Sequence, residues 1–258
     1  MSPPAEPTPT PRLYDDLAYL WPLLSPPEDY AEEAATILSL ALEHLPAERF
    51  AAGHRPTLLE LGAGGGHTLV HLANRFDCTA VDLSEPMLAN CRSLVPSAET
   101  LRGDMRTLRL DASFDLVLVH DAIDYMATEA DTRAAVATAA AHVRPGGLAI
   151  IAPTYLADDF EDGDHESDHR ADGDLRLTYL GYARRSPSRE HGLDLHLVYV
   201  IDRGGEVEVV HDAHRCGLFP RDRWTHWLGA SGLTVIGELD ADGPWYGFVA
   251  RRPSPEAP

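Results

Sequence analysis

The chain has 258 residues, enough for one large domain or a core with an insertion rather than two independent domains. Its 21 basic residues are all arginine and face 41 acidic ones, a net charge of −20, which excludes nucleic acid and anionic membrane surfaces as electrostatic partners. The lack of lysine also removes Schiff-base chemistry and the P-loop, while 44% hydrophobic content supports a packed core.

The opening Pro3, Pro4, Pro7, Pro9 and Pro11 prevent helix, so residues 1–12 are expected to form a disordered tail. Order should begin near Leu13-Tyr14-Asp15, with a helix opening at Ser25-Pro26-Pro27-Glu28 and running to about His44. Strand and helix signals then alternate: Thr57 to Leu61, a helix from His67, Cys78 to Val81, a helix from Glu85, Phe114 to His120, a helix after Thr128, and Leu148 to Pro153. Ser84 and Thr128 read as helix caps, and Pro145-Gly146-Gly147 as the stop of the helix after Thr128.

After Pro153 the pattern changes to an acidic loop and three antiparallel strands, Leu175 to Ala183, Leu193 to Ile201 and Glu206 to His211. A helix from Arg221 to Ala230 and strands Leu233 to Leu239 and Trp245 to Ala250, joined by a turn at Asp240-Ala241-Asp242-Gly243, close the chain. The fold class is therefore α/β: a Rossmann-like parallel sheet with helices on both faces plus a small antiparallel β insertion. The expected division is a cofactor-binding core over 13–153, the insertion over 154–216 and C-terminal elements over 217–258 that complete the core sheet. Cys78, Cys91 and Cys216 fit neither a disulfide framework nor a metal cluster, and no signal peptide or long apolar run is present, so a cytoplasmic setting is expected.

The most informative segment runs from Thr57 through Glu60, Gly62, Ala63, Gly64, Gly65 and Gly66 to Thr68, a buried strand entering a glycine-rich turn and a helix. Open α/β sheets bind ligands at this end of the first strand. A dinucleotide fingerprint needs Gly or Ala three residues after Gly64, but His67 stands there, which counts against an NAD-dependent dehydrogenase. Glu60 suits a ligand's ammonium group and would repel a pyrophosphate. Asp82, eighteen residues beyond Gly64, stands where such folds hydrogen-bond a ribose, with Leu83 and Met87 following. From Gly103-Asp104-Met105 a carboxylate can meet an adenine amino group while Met105 packs on the ring.

With those residues in view, the chain resembles the class I S-adenosylmethionine-dependent methyltransferases. LELGAGGGHT, AVDLSEPML, RGDM, FDLVLVHDAIDYM and HVRPGGLAII match successive motifs of that family over about residues 57–153, and the family's sheet has seven strands. Tyr14-Asp15 and the inserted strands are similar to bacterial small-molecule enzymes, including sugar-amine N-methyltransferases. The resemblance implies S-adenosylmethionine as cofactor, with Glu60 and Gly62 at its methionine end, Asp82 at the ribose, Asp104 and Met105 at adenine, and His120 beneath the sulfonium. It further implies that Tyr14, Trp21 and Tyr30 close over the cofactor, that Tyr14 takes part in catalysis, and that two copies pair through the inserted strands.

Methyl transfer from a sulfonium needs alignment and exclusion of water, and a base only when the acceptor arrives protonated. His120-Asp121 is the candidate base, with a cofactor contact as the other reading of His120. Asp121, Tyr125, His169, His211 and His214 are candidates for the substrate wall. His211 and His214 should point to opposite faces of their strand unless it bulges, so no metal is expected. The nine carboxylates between Asp158 and Asp174 read as a solvated loop, or else as a mobile lid favouring a cationic or polyhydroxylated substrate, and Trp224, Trp227 and Trp245 as packing residues. The expected function is methylation of N or O on a small-molecule acceptor, an amino sugar being one candidate; a same-fold protein with a non-methylating or sensory role is the alternative.

Overall fold

β1 (Thr57–Leu61), β2 (Asp77–Asp82), β3 (Glu99–Arg102), β4 (Phe114–His120) and β5 (Val143–Ala152) run parallel at the centre of the structure, a computed structural model that describes residues 10–239 and 245–254. Four strands follow as a separate antiparallel sheet: β6 (His165–Asp172), β7 (Leu175–Arg185), β8 (Gly192–Arg203) and β9 (Glu206–Gly217). β10 (Thr234–Leu239) and β11 (Gly247–Arg251) then join the first sheet, whose order is β10-β11-β5-β4-β1-β2-β3 with β11 antiparallel to both neighbours. Strand order reverses between β1 and β4, which opens a crevice at their carboxyl ends.

Every residue of β4 is buried, as expected of a central strand covered on both faces. One face of the sheet carries α5 (Glu129–His142) and α6 (Arg221–Ala230), packed with Val117, Val119, Trp224 and Trp227. The other carries α2 (Ala31–His44), α3 (His67–Leu72) and α4 (Glu85–Leu94), packed with Leu58, Leu116 and Ile150; the single-turn α1 (Trp21–Leu24) precedes them. The caps hold as read: the Ser84 and Thr128 hydroxyls accept the N–H groups of Met87 and Asp131, each at 3.1 Å. The helix after Thr128 ends earlier than expected, at His142. Pro145-Gly146-Gly147 lies within β5, where the register with β4 shifts between Phe114 and Leu116.

The antiparallel sheet corrects two expectations. The acidic segment is not all loop, because His165–Asp172 pairs with β7 as an edge strand; alternation is hard to see in a run of polar residues with one face exposed. The last inserted strand continues to Gly217, six residues past His211, and pairs with β8 without a register shift. The sheet's inner face is covered by the N-terminal segment: Leu13, Leu17 and Leu20 pack on Leu177, Leu197, Tyr199, Ile201 and Val210. Each such leucine, fully buried, contributes about 1.5–3 kcal/mol. The same segment is tied to α4, since Ser84 Oγ donates to Tyr14 O at 2.5 Å and Asn90 Nδ2 to Ala18 O at 2.9 Å. Of the expected tail, residues 1–9 lie outside the described residues, and Arg12 already opens a 3₁₀ turn. The turn at Asp240 to Gly243 also lies outside them. Among the described residues no helix is long and apolar enough to cross a membrane.

Candidate functional site

The turn after β1 presents bare backbone. Gly62 has φ +79° and its N–H donates to Val81 O at 2.7 Å; a Cβ there would lie 2.2 Å from Ala122 Cβ and 2.9 Å from Met105 Cε. Only glycine fits both the left-handed backbone and that approach. Ala63 N–H shares the Val81 carbonyl, and Gly64, at φ +51°, donates its N–H to Asp82 Oδ2 at 2.8 Å. Trp21 and Tyr30 stand over the turn through ring contacts with His67 at 5.8 and 5.7 Å.

Around this turn lie the three strand-end acids. Glu60 is buried with Oε2 unpartnered, and burial, reinforced by Asp82 and Asp121, pushes its carboxyl well above the usual range. Asp82 also accepts the Ser84 N–H at 2.8 Å; burial raises its pKa against the pull of these backbone donors. Both oxygens of Asp104 accept from Arg106, at 2.6 to 3.0 Å, which holds its carboxyl below the usual range. Met87 is fully buried beneath Gly64, Met105 packs over Gly62, Gly103 donates its N–H to Asp82 O, and Leu83 is exposed at the rim.

His120 closes β4, buried, its Nε2 without a hydrogen bond but 3.4 Å from Glu33 Oε2 and 3.5 Å from Asp121 Oδ1. Tyr30 and Trp245 contact its ring at 6.4 and 5.4 Å; Trp245 also packs against the core on the face of Leu58 and Ile150, and Trp224 and Trp227 are buried as core residues. Asp121 is the one non-glycine residue with positive φ among those described, at φ +50°, ψ −46°, a strained conformation held by its N–H on Ala152 O and by Thr154 Oγ1 on Oδ1. Unpartnered buried atoms on Trp21, Glu33, Glu60 and His120, two of them carboxylate oxygens, thus lie around the carboxyl ends of β1 and β4. This donor set fits a ligand that is cationic and rich in hydrogen-bond donors, as S-adenosylmethionine is.

A cavity of about 270 Å³ adjoins this region, between the N-terminal segment, the loop after β4 and the inner face of the antiparallel sheet. Tyr14, Trp21, Tyr30, Asp121 and Tyr125 line it, together with Asp124, Tyr155, Glu166, Tyr179 and Tyr199. His169 and His211 do not. His169 is exposed and bonds Thr178 Oγ1 at 2.9 Å, and His211 stacks on His196 on the outer face of the sheet. Because β9 pairs without a bulge, His214 points inward instead, buried behind Tyr125 with Nδ1 2.7 Å from the Tyr125 hydroxyl. His211, His214 and Asp121 therefore do not converge.

Several residues were missed by sequence reasoning yet carried a signal. Glu33 stands one helical turn from Tyr30, Asp124 one residue before Tyr125, and Asp212 two residues before His214, hence on the same face of β9. Glu166 was hidden in the acidic run, and burial beside Asp164 and Asp168 raises its pKa.

The family described as "Methyltransferase domain" matches residues 58–147, the stretch from β1 into β5. A dTDP-3-amino-3,4,6-trideoxy-alpha-D-glucopyranose N,N-dimethyltransferase of Streptomyces venezuelae is 33% identical over 215 residues, 81% of this chain and 85% of that protein. A dTDP-3-amino-3,6-dideoxy-alpha-D-glucopyranose N,N-dimethyltransferase of Streptomyces fradiae is 30% identical, over 81% of this chain and 79% of that protein. The crystal structure of Streptomyces venezuelae DesVI superposes with a TM-score of 0.78 at 28% identity, covering 93% of this chain and 96% of that one. The chain belongs to the class I S-adenosylmethionine-dependent methyltransferases, and transfers a methyl group from that cofactor to nitrogen or oxygen of a small metabolite.

Proposed function

We propose that the acceptor is the amine of a deoxyamino sugar carried on a nucleotide. The observation that carries this reading is the cavity beside the glycine turn, where Asp121, Asp124 and Glu166 stand among tyrosine hydroxyls. Burial pushes the carboxyls of Asp124 and Glu166 up, so each gains by facing a cation, and the phenols suit a polyhydroxylated ring. The relatives named above, which are N,N-dimethyltransferases of dTDP-3-amino sugars, support the same substrate class.

In this reading Glu60 holds the cofactor's ammonium group, Asp82 the ribose hydroxyls, and Asp104 with Met105 the adenine edge, Asp104 sharing a lone pair with Arg106. Gly62, Ala63, Gly64 and Gly103 give close backbone, Leu83 and Met87 apolar walls, and Trp21 with Tyr30 exclude water from above. Bound there, S-adenosylmethionine supplies an electrophilic methyl on its sulfonium. His120 faces Glu33 and Asp121 but does not line the acceptor cavity, which favours its role as a cofactor contact over that of base. Alignment of donor and acceptor supplies roughly 7–11 kcal/mol of barrier reduction. Two copies pair through the outer face of the antiparallel sheet, a reading supported by the exposed Leu180, Val200, Val207 and Val209 on that face.

The test is incubation with S-adenosylmethionine and paired dTDP-sugars that differ only in bearing an amine or a hydroxyl at C3, followed by mass spectrometry. N-methylated amine with the hydroxyl analogue untouched is expected. Methylation of the hydroxyl sugar alone would overturn the assignment.

A further inference from the structure

Behind the acceptor cavity four side chains from three parts of the chain form one hydrogen-bonded line. Asp212 Oδ2 lies 3.0 Å from His214 Nε2, His214 Nδ1 lies 2.7 Å from the Tyr125 hydroxyl, and that hydroxyl lies 2.8 Å from the hydroxyl of Tyr14. Tyr14 and Tyr125 line the cavity, whereas Asp212 and His214 are buried behind them. Asp212 also accepts the Leu13 N–H at 2.9 Å, which clamps the segment carrying Tyr14 to the sheet.

With His214 neutral, the hydrogens in this line have one self-consistent arrangement. An ionised carboxylate only accepts, so His214 carries its proton on Nε2 and leaves Nδ1 as an acceptor. Tyr125 then donates to Nδ1, and its bond to Tyr14 must use the hydrogen of Tyr14. The Tyr14 oxygen is left with lone pairs alone toward the cavity. Burial opposes ionisation of Asp212, but hydrogen bonds from His214 and Leu13 outweigh it and hold the carboxyl below its usual range. Burial raises both tyrosines well above the ordinary phenol value, so neither rests as a phenolate.

We propose that Asp212, His214, Tyr125 and Tyr14 form a proton relay that deprotonates the acceptor ammonium, with Tyr14 as the catalytic residue and the other three acting through it. An ammonium N–H gives its proton to Tyr14 Oη as the Tyr14 proton passes to Tyr125 Oη and the Tyr125 proton to His214 Nδ1. The products are a neutral amine with its lone pair free to attack the methyl, and an imidazolium paired with Asp212. After the methylated product leaves, the same atoms return the proton to water entering the cavity. This rests on the amine reading above. Around this line stand Tyr199, whose hydroxyl is unpartnered, Tyr30 near Tyr14, Arg12 and Asp16 near Asp212, Cys216 on the strand of His214, and Asp124 beside Tyr125.

Tyr125→Phe is the discriminating variant. It removes the hydroxyl that joins His214 Nδ1 to Tyr14 while leaving Asp212 Oδ2 its contacts with both His214 Nε2 and the Leu13 N–H. With dTDP-3-amino-3,4,6-trideoxy-alpha-D-glucopyranose as probe, kcat at pH 7 is expected to fall about 100-fold or more in Tyr125→Phe. The loss should shrink as pH rises toward the pKa of the amine, with cofactor affinity within about twofold of wild type. No loss, or one equal at every pH, overturns the relay. ¹⁵N NMR of His214 needs no acceptor: the neutral ring of wild type should show Nε2–H, and Nδ1–H there overturns the relay even if no amino sugar is methylated. Methylation failing with the expected tautomer counts against the acceptor, not the hydrogen-bond line.

Discussion

Asp82 Oδ2 accepts the Gly64 N–H at 2.8 Å, so the end of one strand holds the turn that follows its neighbour. Its other oxygen accepts the Ser84 N–H at the start of α4. Asp82→Ala is therefore expected to act twice: two backbone donors lose their acceptor at a cost of about 1–3 kcal/mol, and cofactor binding weakens at least about tenfold. Thermal denaturation without ligand reads the first effect and titration calorimetry with S-adenosylmethionine the second. Loss of stability with unchanged affinity would refute the ribose assignment.

Glu60 offers a pH test. Its carboxyl is raised by burial and by two neighbouring acids, so the folded protein keeps a proton that the unfolded chain releases. Stability from this group is full below the usual carboxylate pKa and falls as pH rises toward the raised folded value. Glu60→Gln should remove that fall and stabilise the ligand-free protein at neutral pH, read as Tm between about pH 5 and 8. A cationic cofactor should ionise Glu60, so binding should release a proton, measurable by calorimetry in buffers of differing ionisation enthalpy. Equal release in Glu60→Gln would show that another group is responsible.

His120→Ala is expected to weaken cofactor binding about tenfold while leaving kcat at saturating cofactor within about tenfold. A general base in that position would cost about 10²–10⁴ in kcat. Steady-state kinetics on the amino sugar probe separate these, and a collapse of kcat with unchanged affinity would restore His120 as the base.

Val209 stands 66% exposed on the outer face of the antiparallel sheet, beside Val200. Wild type is expected to sediment as a dimer and Val209→Asp as a monomer that still binds S-adenosylmethionine. Wild type running as a monomer at micromolar concentration would reject this face as an interface.

The core sheet was legible because its signals are local. Alternating strands and helices, the Ser84 and Thr128 caps, and the glycine turn between Glu60 and His67 each depend on neighbours within a few residues. The strand-end acids Glu60 and Asp82 followed from the same order. Asp104 was placed correctly on its strand end, but its partner Arg106, two residues on, claimed both oxygens.

The antiparallel sheet was legible only in part. By itself the sequence determined that a parallel sheet would carry a glycine turn and acids at the carboxyl ends of its first strands. Strand alternation separates two faces without saying which is inside, and that choice was made by long-range burial. Leu13, Leu17 and Leu20 cover the side bearing Tyr199 and Val210, and the Leu13 N–H reaches Asp212 across 199 residues of chain. That packing turned His214 and Asp212 inward and left His169 and His211 on the far face. Only the tertiary structure could decide this, because the contacts that bury one face come from a segment no local pattern connects to it.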